Sequence, residues 1–152
     1  MTRFYNHSCP SHGKVILKGD GLMYKSMTAN LMVESVDDSV EFYQNILGFS
    51  VVASVPNESG KLQFAILSKD NLTLMLQDKG NLTEEYPILN TDKVRPSVTL
   101  YIMADNFDEF YHELKERHEI LRDAHTTFYG SKEFAIADNN GYVLTFAENH
   151  EG

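Results

Sequence analysis

The sequence has little cysteine, little basic charge and no long apolar run. It contains one cysteine, Cys9, in 152 residues, so no disulfide bond can form within the chain. No apolar segment approaches the roughly 18 residues that a membrane-spanning helix needs. The first residues, MTRFYNHSCPSHGKV, lack the apolar core of a secretory signal. We therefore expect a cytoplasmic protein that does not enter a membrane.

Basic residues are outnumbered by acidic ones, 13 against 22, which gives a formal net charge of −9 at pH 7. This charge disfavours nucleic acid as a partner and favours a cationic ligand if the acids line a cleft. The alternative is an acidic surface that only interacts with solvent. With 42% hydrophobic and 23% charged residues, the composition is that of an ordinary globular domain.

Residues 1–26 show no sustained periodicity, and we interpret them as a flexible N-terminal extension. His7, Cys9 and His12 lie close together there, but three ligands in a polar tail lack a fourth partner and a scaffold. We expect no metal site in this segment. Strand-like alternation begins near Met27.

Residues 27–148 carry one pattern twice. Glu41-Phe42-Tyr43 recurs 68 positions later as Glu109-Phe110-Tyr111, each time in an amphipathic helix that follows a strand. Asp38 and Asn106 are suited to cap the starts of these helices, and Gly48 is suited to end the first. Three strand candidates follow each helix: FSVVASVPN, KLQFAILS and NLTLMLQ in the first half, and ILRDAHTTFY, KEFAIAD and YVLTFAE in the second.

These elements predict one α+β domain over residues 27–148. It consists of two βαβββ modules, residues 27–77 and 97–148, joined by a linker over residues 78–96. The modules are expected to form a curved mixed sheet around a concave cleft. Alternation assigns one strand face to the core beneath the helices, namely Leu31, Val33, Leu72, Leu74, Leu76, Leu100, Ile102, Leu144 and Phe146.

Three segments carry a resemblance to a known family. VESVDDSVEFYQNILGFSVV and VTLYIMADNFDEFYHEL contain the two strand-to-helix turns, and FAIADNNGYVLTFAE is similar to the family ending D-P-x-G-x-x-x-x-F/L, with Asn139 in place of the proline. Together they resemble the vicinal oxygen chelate superfamily, which includes glyoxalase I, extradiol dioxygenases, fosfomycin resistance enzymes and bleomycin resistance proteins. The resemblance covers about residues 27–148 and implies the fold more specifically than the activity.

In the metal-using members, the family pattern implies His and Glu ligands on four strands of the concave face. Placed on this chain, those positions fall on Thr28, Thr99, Thr145 and either Thr73 or Met75. Neutral hydroxyls and thioethers are poor ligands for a divalent first-row metal. The resemblance with these replacements implies a member without a metal or other cofactor, similar to the bleomycin resistance branch.

That branch sequesters small molecules, usually as homodimers with grooves between the subunits. The resemblance implies the same role here, with an antibiotic or another cationic or aromatic compound as ligand. The absence of tryptophan argues against bleomycin itself. The cleft-lining candidates are Thr28, Asn30, Thr73, Met75, Thr99, Tyr101, His125, Phe128, Tyr129 and Thr145.

Aromatic candidates can stack on flat ligand rings, and His125 can contact a ligand or act as a lone acid or base. Glu133 is a comparable candidate. The alternatives for these residues are ordinary packing and surface roles. Two other functions stay open: a metal-dependent glyoxalase-like lyase or dioxygenase, and an accessory or regulatory domain whose cleft is occluded by its own residues.

Overall fold

The computed structural model describes residues 23–149, which form two four-stranded sheets, one from each half of the chain. The predicted extension over residues 1–26 lies mostly outside this range, as do His7, Cys9 and His12. The elements, in chain order, are β1 (Ala29–Val33), α1 (Val36–Leu47), β2 (Ser50–Pro56), β3 (Leu62–Lys69), β4 (Leu72–Asp78), α2 (Lys79–Glu85), a 3-10 turn (Pro87–Leu89), β5 (Thr99–Met103), α3 (Phe107–Arg117), β6 (Arg122–Thr126), β7 (Ser131–Ala137) and β8 (Val143–Asn149).

The two halves share one topology, so the predicted α+β fold of two βαβββ modules is confirmed. The strand orders are β1-β4-β3-β2 and β5-β8-β7-β6. In each sheet the first strand of the module runs parallel to the last, and the remaining pairs are antiparallel. Each module contributes its own mixed four-stranded sheet, and no strand of one sheet pairs with a strand of the other among the described residues. The described part of the chain has no helix long and apolar enough to cross a membrane.

The helices follow their sequence signals with three differences. Asn106 stands at the N-cap of α3, as predicted, but its side chain makes no capping hydrogen bond. Ser35, and not Asp38, caps α1: its Oγ accepts a hydrogen bond from the Asp38 backbone N–H at 3.2 Å. Gly48 ends α1 with φ of 73°, as predicted. The two long helices begin 71 residues apart, at positions 36 and 107, so the repeated Glu-Phe-Tyr lies three residues further into α1 than into α3.

One core joins the helices and the strand faces beneath them. The helices bury residues at spacings of three and four, and the strands bury the face that alternation assigned to the core. Leu72 is the exception, because it stands at the exposed start of β4. The principal buried residues are Leu31, Val33, Val36, Val40, Tyr43, Leu47, Leu74, Leu76, Phe107, Tyr111, Leu114, Phe134, Ile136, Leu144 and Phe146.

The linker predicted for residues 78–96 contains α2 and the 3-10 turn. It is tied to the end of β1 through Glu34, whose Oε1 accepts the Val94 backbone N–H at 2.7 Å and whose Oε2 pairs with Lys79 Nζ at 3.2 Å. The Val94 hydrogen bond is the largest influence on the Glu34 carboxyl and holds its pKa below the ordinary range. Leu82 of α2 is buried.

The two modules meet where the turn between β7 and β8, residues 138–142, rests on the beginning of α1. Tyr43 Oη donates to Asp138 Oδ2 at 2.7 Å, and both residues are buried. Ser39 Oγ bonds Asn139 Oδ1 at 3.2 Å and accepts from Asn140 Nδ2 at 2.9 Å. Beside them, the Glu34 backbone N–H donates to Asn140 Oδ1 at 3.1 Å and Tyr142 Oη donates to the Met32 carbonyl at 2.8 Å. Five hydrogen bonds therefore cross this junction.

Removing the Tyr43 hydroxyl tests this junction. Tyr43→Phe leaves a buried carboxylate oxygen without its donor, and we predict a loss of about 1.5–3 kcal/mol in the free energy of unfolding, measured in urea. Tyr111→Phe is the matched control, because Tyr111 Oη donates to the exposed Asp123 at 2.8 Å. We predict a loss of about 1 kcal/mol or less there. Equal losses in the two variants would contradict the assignment.

Candidate functional site

The resemblance implies metal-ligand positions at Thr28, Thr99, Thr145 and either Thr73 or Met75, and these residues lie in two different sheets. Thr28 directly precedes β1 and both Thr73 and Met75 lie on β4, whereas Thr99 lies on β5 and Thr145 on β8. Among residues 23–149, no three His, Cys, Asp or Glu side chains come together in a group that could hold a metal ion. The donor set at these positions does not fit a divalent first-row metal.

In the first module, the polar residues of the face opposite the core bond one another. Asn30 Nδ2 donates to Gln77 Oε1 at 2.7 Å, and Gln77 Nε2 donates to Asn81 Oδ1 at 2.7 Å and to Glu85 Oε2 at 2.9 Å. Met75 lies opposite Asn30 in the β1–β4 ladder. The Asn30 amide is therefore engaged with Gln77 and, through it, with α2.

The second module presents a carboxylate on the corresponding face. Phe134 and Ile136 of β7 are buried in the core, so alternation places Glu133 on the opposite side of the sheet. Glu133 is only 7% exposed. Its Oε1 accepts hydrogen bonds from Tyr101 Oη and Tyr129 Oη, both at 2.7 Å. Because β5 and β7 flank β8 on either side, the Tyr101 side chain reaches across β8 to make this bond.

Opposing influences act on the Glu133 carboxyl. Burial is the largest single influence and raises the pKa of Glu133. The hydrogen bonds from Tyr129 and Tyr101, with smaller electrostatic contributions from His125 and Arg122, together lower it by more than burial raises it. The pKa therefore lies below its ordinary value of 4.5, and Glu133 is ionised at neutral pH. Both phenols bond Oε1, and Oε2 receives no hydrogen bond from the described residues.

His125 and the turn over residues 127–130 complete the surroundings of Glu133. His125 is its cross-strand partner in the β6–β7 ladder. The His125 Nδ1 donates to the Asp123 carbonyl at 2.9 Å, whereas Nε2 is buried without a partner in the described structure. The turn presents Phe128, which is fully exposed, and Tyr129 with their rings edge to face at 4.9 Å. We call Tyr101, His125, Phe128, Tyr129 and Glu133 the Glu133 cluster.

The structure thus brings together only part of the predicted set. Tyr101, His125 and Tyr129 lie next to Glu133, Phe128 contacts the Tyr129 ring, and Thr145 lies beside Tyr101 in the β5–β8 ladder. Thr99 is exposed at the start of β5. The other four candidates, Thr28, Asn30, Thr73 and Met75, belong to the first module.

Sequence reasoning ranked Glu133 only beside His125 and left it out of the cleft-lining candidates, although the sequence carries a further signal for it. In KEFAIAD, a charged residue stands beside Phe134 on a strand whose core face is fixed by Phe134 and Ile136. A carboxylate on the other face of such a strand points to the predicted cleft. Its phenol partners lie 32 positions before it and 4 positions before it, so this contact follows from the tertiary fold.

Comparison with known families agrees with this geometry. A model of the Glyoxalase/Bleomycin resistance protein/Dioxygenase superfamily matches residues 26–146. The chain belongs to this superfamily. A comparison with curated protein sequences gives no significant match.

Several solved structures share the fold. A glyoxalase/bleomycin resistance protein/dioxygenase from Nocardioides is 17% identical, with a TM-score of 0.72 over 86% of this chain and 87% of the other. Lactoylglutathione lyase from Agrobacterium tumefaciens is 21% identical, with a TM-score of 0.65 over 82% and 92%. TioX from Micromonospora sp. ML1 is 15% identical, with a TM-score of 0.64 over 83% and 99%. At these identities the similarity establishes the fold alone.

The two phenol hydrogen bonds should control the ionisation of Glu133. We predict that Tyr129→Phe and Tyr101→Phe each raise the pKa of Glu133, because each removes a donor to the charged form. A pH titration of the ¹³C carboxyl resonance measures this. In the parent protein the depressed pKa stabilises the fold above about pH 4.5, and this contribution disappears as the pH falls through the folded-state pKa. Tyr86→Phe is the control. Tyr86 lies on the linker, far from Glu133 in sequence, so the loss of its hydroxyl should leave the titration of Glu133 unchanged.

Proposed function

We propose that this superfamily member binds a small organic cation, without a metal, on the face of the second module that carries the Glu133 cluster. The observation that supports this most directly is the state of Glu133. It is an ionised, buried carboxylate whose Oε1 is held by two phenols while Oε2 has no donor within the described residues. A ligand N–H that reaches Oε2 makes a charge-assisted hydrogen bond with a group that is already oriented.

The side chains around Glu133 suit the rest of such a ligand. Tyr101, Phe128 and Tyr129 offer exposed ring surface, on which an aromatic ligand stacks and over which a cation is attracted by the ring electrons. The net charge of −9 favours the approach of cations. A cationic or aromatic compound, such as an antibiotic of this kind, fits both features.

The threonines at the family's metal positions favour binding over metal-assisted chemistry. A glyoxalase-like lyase or dioxygenase uses a metal to polarise a substrate oxygen, and hydroxyl groups do not assemble that centre. Sequestration requires only recognition, for which the Glu133 cluster provides charge, hydrogen bonding and ring surface. We therefore place the chain among binding proteins of the superfamily.

We further propose that two copies of the chain form a homodimer, in which the second copy covers part of the face that carries the Glu133 cluster. Four large side chains on and beside it are exposed by half or more: Met103 by 51%, Tyr101 by 52%, Tyr129 by 60% and Phe128 by 100%. Contiguous apolar surface of this kind marks an interaction site. A second copy would cover it in part and enclose the ligand.

Replacing the carboxylate tests ligand binding. Thermal shift against a panel of aromatic ammonium compounds, followed by calorimetry, should identify cations that stabilise the protein. We predict that Glu133→Gln weakens their binding about 10- to 100-fold, the value of a hydrogen bond to a charged group. Glu119→Gln, which removes the same charge from an exposed position, should bind normally.

The same thermal-shift assay tests the alternative function, a metal-dependent glyoxalase-like lyase or dioxygenase. Addition of Ni²⁺, Zn²⁺ or anaerobic Fe²⁺ should leave the melting temperature unchanged, because a native-state ligand would raise it. Metal-dependent stabilisation together with unaltered cation binding in Glu133→Gln would refute the proposed function.

The dimer is tested by sedimentation equilibrium. We predict a mass of twice 17.3 kDa for the parent protein and a shift towards the monomer for Phe128→Asp, because a charge in an apolar interface loses its hydration. Phe128 is fully exposed in the single chain, so the substitution leaves the fold intact. Ile88→Asp, at another exposed apolar position, should remain dimeric. A parent protein that stays monomeric as its concentration is raised contradicts the dimer.

A further inference from the structure

The repeated architecture creates two equivalent junctions between the modules, and only one of them is filled. In each, the turn before the last strand of one module approaches the strand-to-helix connection of the other. The turn over residues 138–142 closes the first junction with five hydrogen bonds. At the second, a crevice of about 630 Å³ lies between the β3–β4 turn and the beginning of α3.

A difference in turn length explains the asymmetry. Five residues, 138–142, separate the last ladder pair of β7 and β8, whereas only Asp70 and Asn71 separate Lys69 from Leu72. The shorter turn has no residues to extend over α3. Within the described residues, no hydrogen bond links the β3–β4 turn to residues 103–113. The crevice is therefore the open counterpart of a junction that the fold closes elsewhere.

The crevice has an apolar floor and an acidic rim. Its floor comes from both modules and consists of Leu47, Phe49, Leu72, Ile102, Phe110 and Phe146. Carboxylates from Asp70, Asp105, Glu109 and Glu113 stand at the rim. The volume lies within the range of about 300–1,000 Å³ that is typical of small-molecule sites.

Three of the four rim carboxylates have no ion-pair partner among the described residues. Glu113 pairs with Arg117 at 3.1 Å, but Asp70, Asp105 and Glu109 form no ion pair within residues 23–149. Lys69 is the one lysine that lines the crevice. Its side chain lies over Gly48 at the C-terminal end of α1, where its Nζ is 3.4 Å from the position that a Cβ on Gly48 would occupy. There it complements the helix dipole. A positive charge is what the rim lacks.

We infer that this crevice is a second binding site, for a cationic amphiphile whose apolar body lies on the floor and whose ammonium group meets the free carboxylates. It is formed by the core-facing side of the strands and by α3, whereas the Glu133 cluster lies on the opposite face of the second sheet. The inference is therefore independent of the proposed function. Asp70 and Asn106, the two non-glycine residues with positive φ in the described chain, both border the crevice and shape its mouth.

Three compounds with one carbon skeleton test the site: 4-phenylbutylamine, 4-phenylbutanol and 4-phenylbutyrate. Methyl NMR follows Leu72 and Ile102 in the crevice and Thr145 on the opposite face. We predict that the amine shifts the Leu72 and Ile102 methyl resonances saturably, that the alcohol binds more weakly and that the carboxylate binds least. Crevice binding should persist in Glu133→Gln.

The carboxylates are tested by the double variant Asp105→Asn/Glu109→Gln, for which we predict about fivefold weaker amine binding, as expected for two partly solvated charge contacts. Glu58→Gln/Glu119→Gln removes the same charge from exposed positions elsewhere and should bind the amine normally. Equal melting temperatures verify that both variants are folded. The inference is overturned if the crevice methyls do not respond to the amine, if the three compounds bind alike, or if the two double variants behave alike.

Discussion

The docking of one turn onto one helix orders the two modules of this protein. Asp138 is buried, and a buried carboxylate must be hydrogen-bonded to be tolerated. Its Oδ1 accepts two N–H groups of its own turn, and its Oδ2 requires the Tyr43 hydroxyl of the other module. Burial, followed by the Asp138 charge, raises the pKa of Tyr43, which keeps that hydroxyl protonated as a donor. The bond is therefore complete only when both modules are folded together.

The proposed function separates recognition from metal chemistry in this chain. The resemblance implies four metal-ligand positions, which fall on Thr28, Thr99, Thr145 and either Thr73 or Met75. A buried carboxylate lies on β7, where Glu133 is oriented by phenols from β5 and from the turn over residues 127–130. A carboxylate held in this way offers a fixed anion to a ligand, and one scaffold can carry many chemistries.

Local patterns predicted the elements well, because burial enforces the periods of strands and helices. Gly48 ended α1 as predicted, since only a positive φ continues the chain there. The spacing of 68 from Glu-Phe-Tyr differed from the 71 between helix starts, because a shift of about one turn preserves the buried face of a helix. Both Ser35 and Asp38 have side chains suited to cap a helix. Because β1 ends at Val33 and α1 begins at Val36, Ser35 occupies the N-cap position. The hydrogen bond from Asn30 to Gln77 belongs to a network that includes Asn81 of α2. The alternation of residues along a strand does not predict such contacts between elements.

We propose that Glu133 in the second module is a fixed anion that recognises cations without a metal. One crystal soaked with both Ni²⁺ and 4-phenylbutylammonium, with data collected at the nickel edge, tests it most directly. We predict density for the ammonium group within hydrogen-bonding distance of Glu133 Oε2 and no anomalous peak near Thr99 or Thr145. A nickel ion coordinated by protein atoms on that face, with Glu133 left without a ligand, would contradict the account.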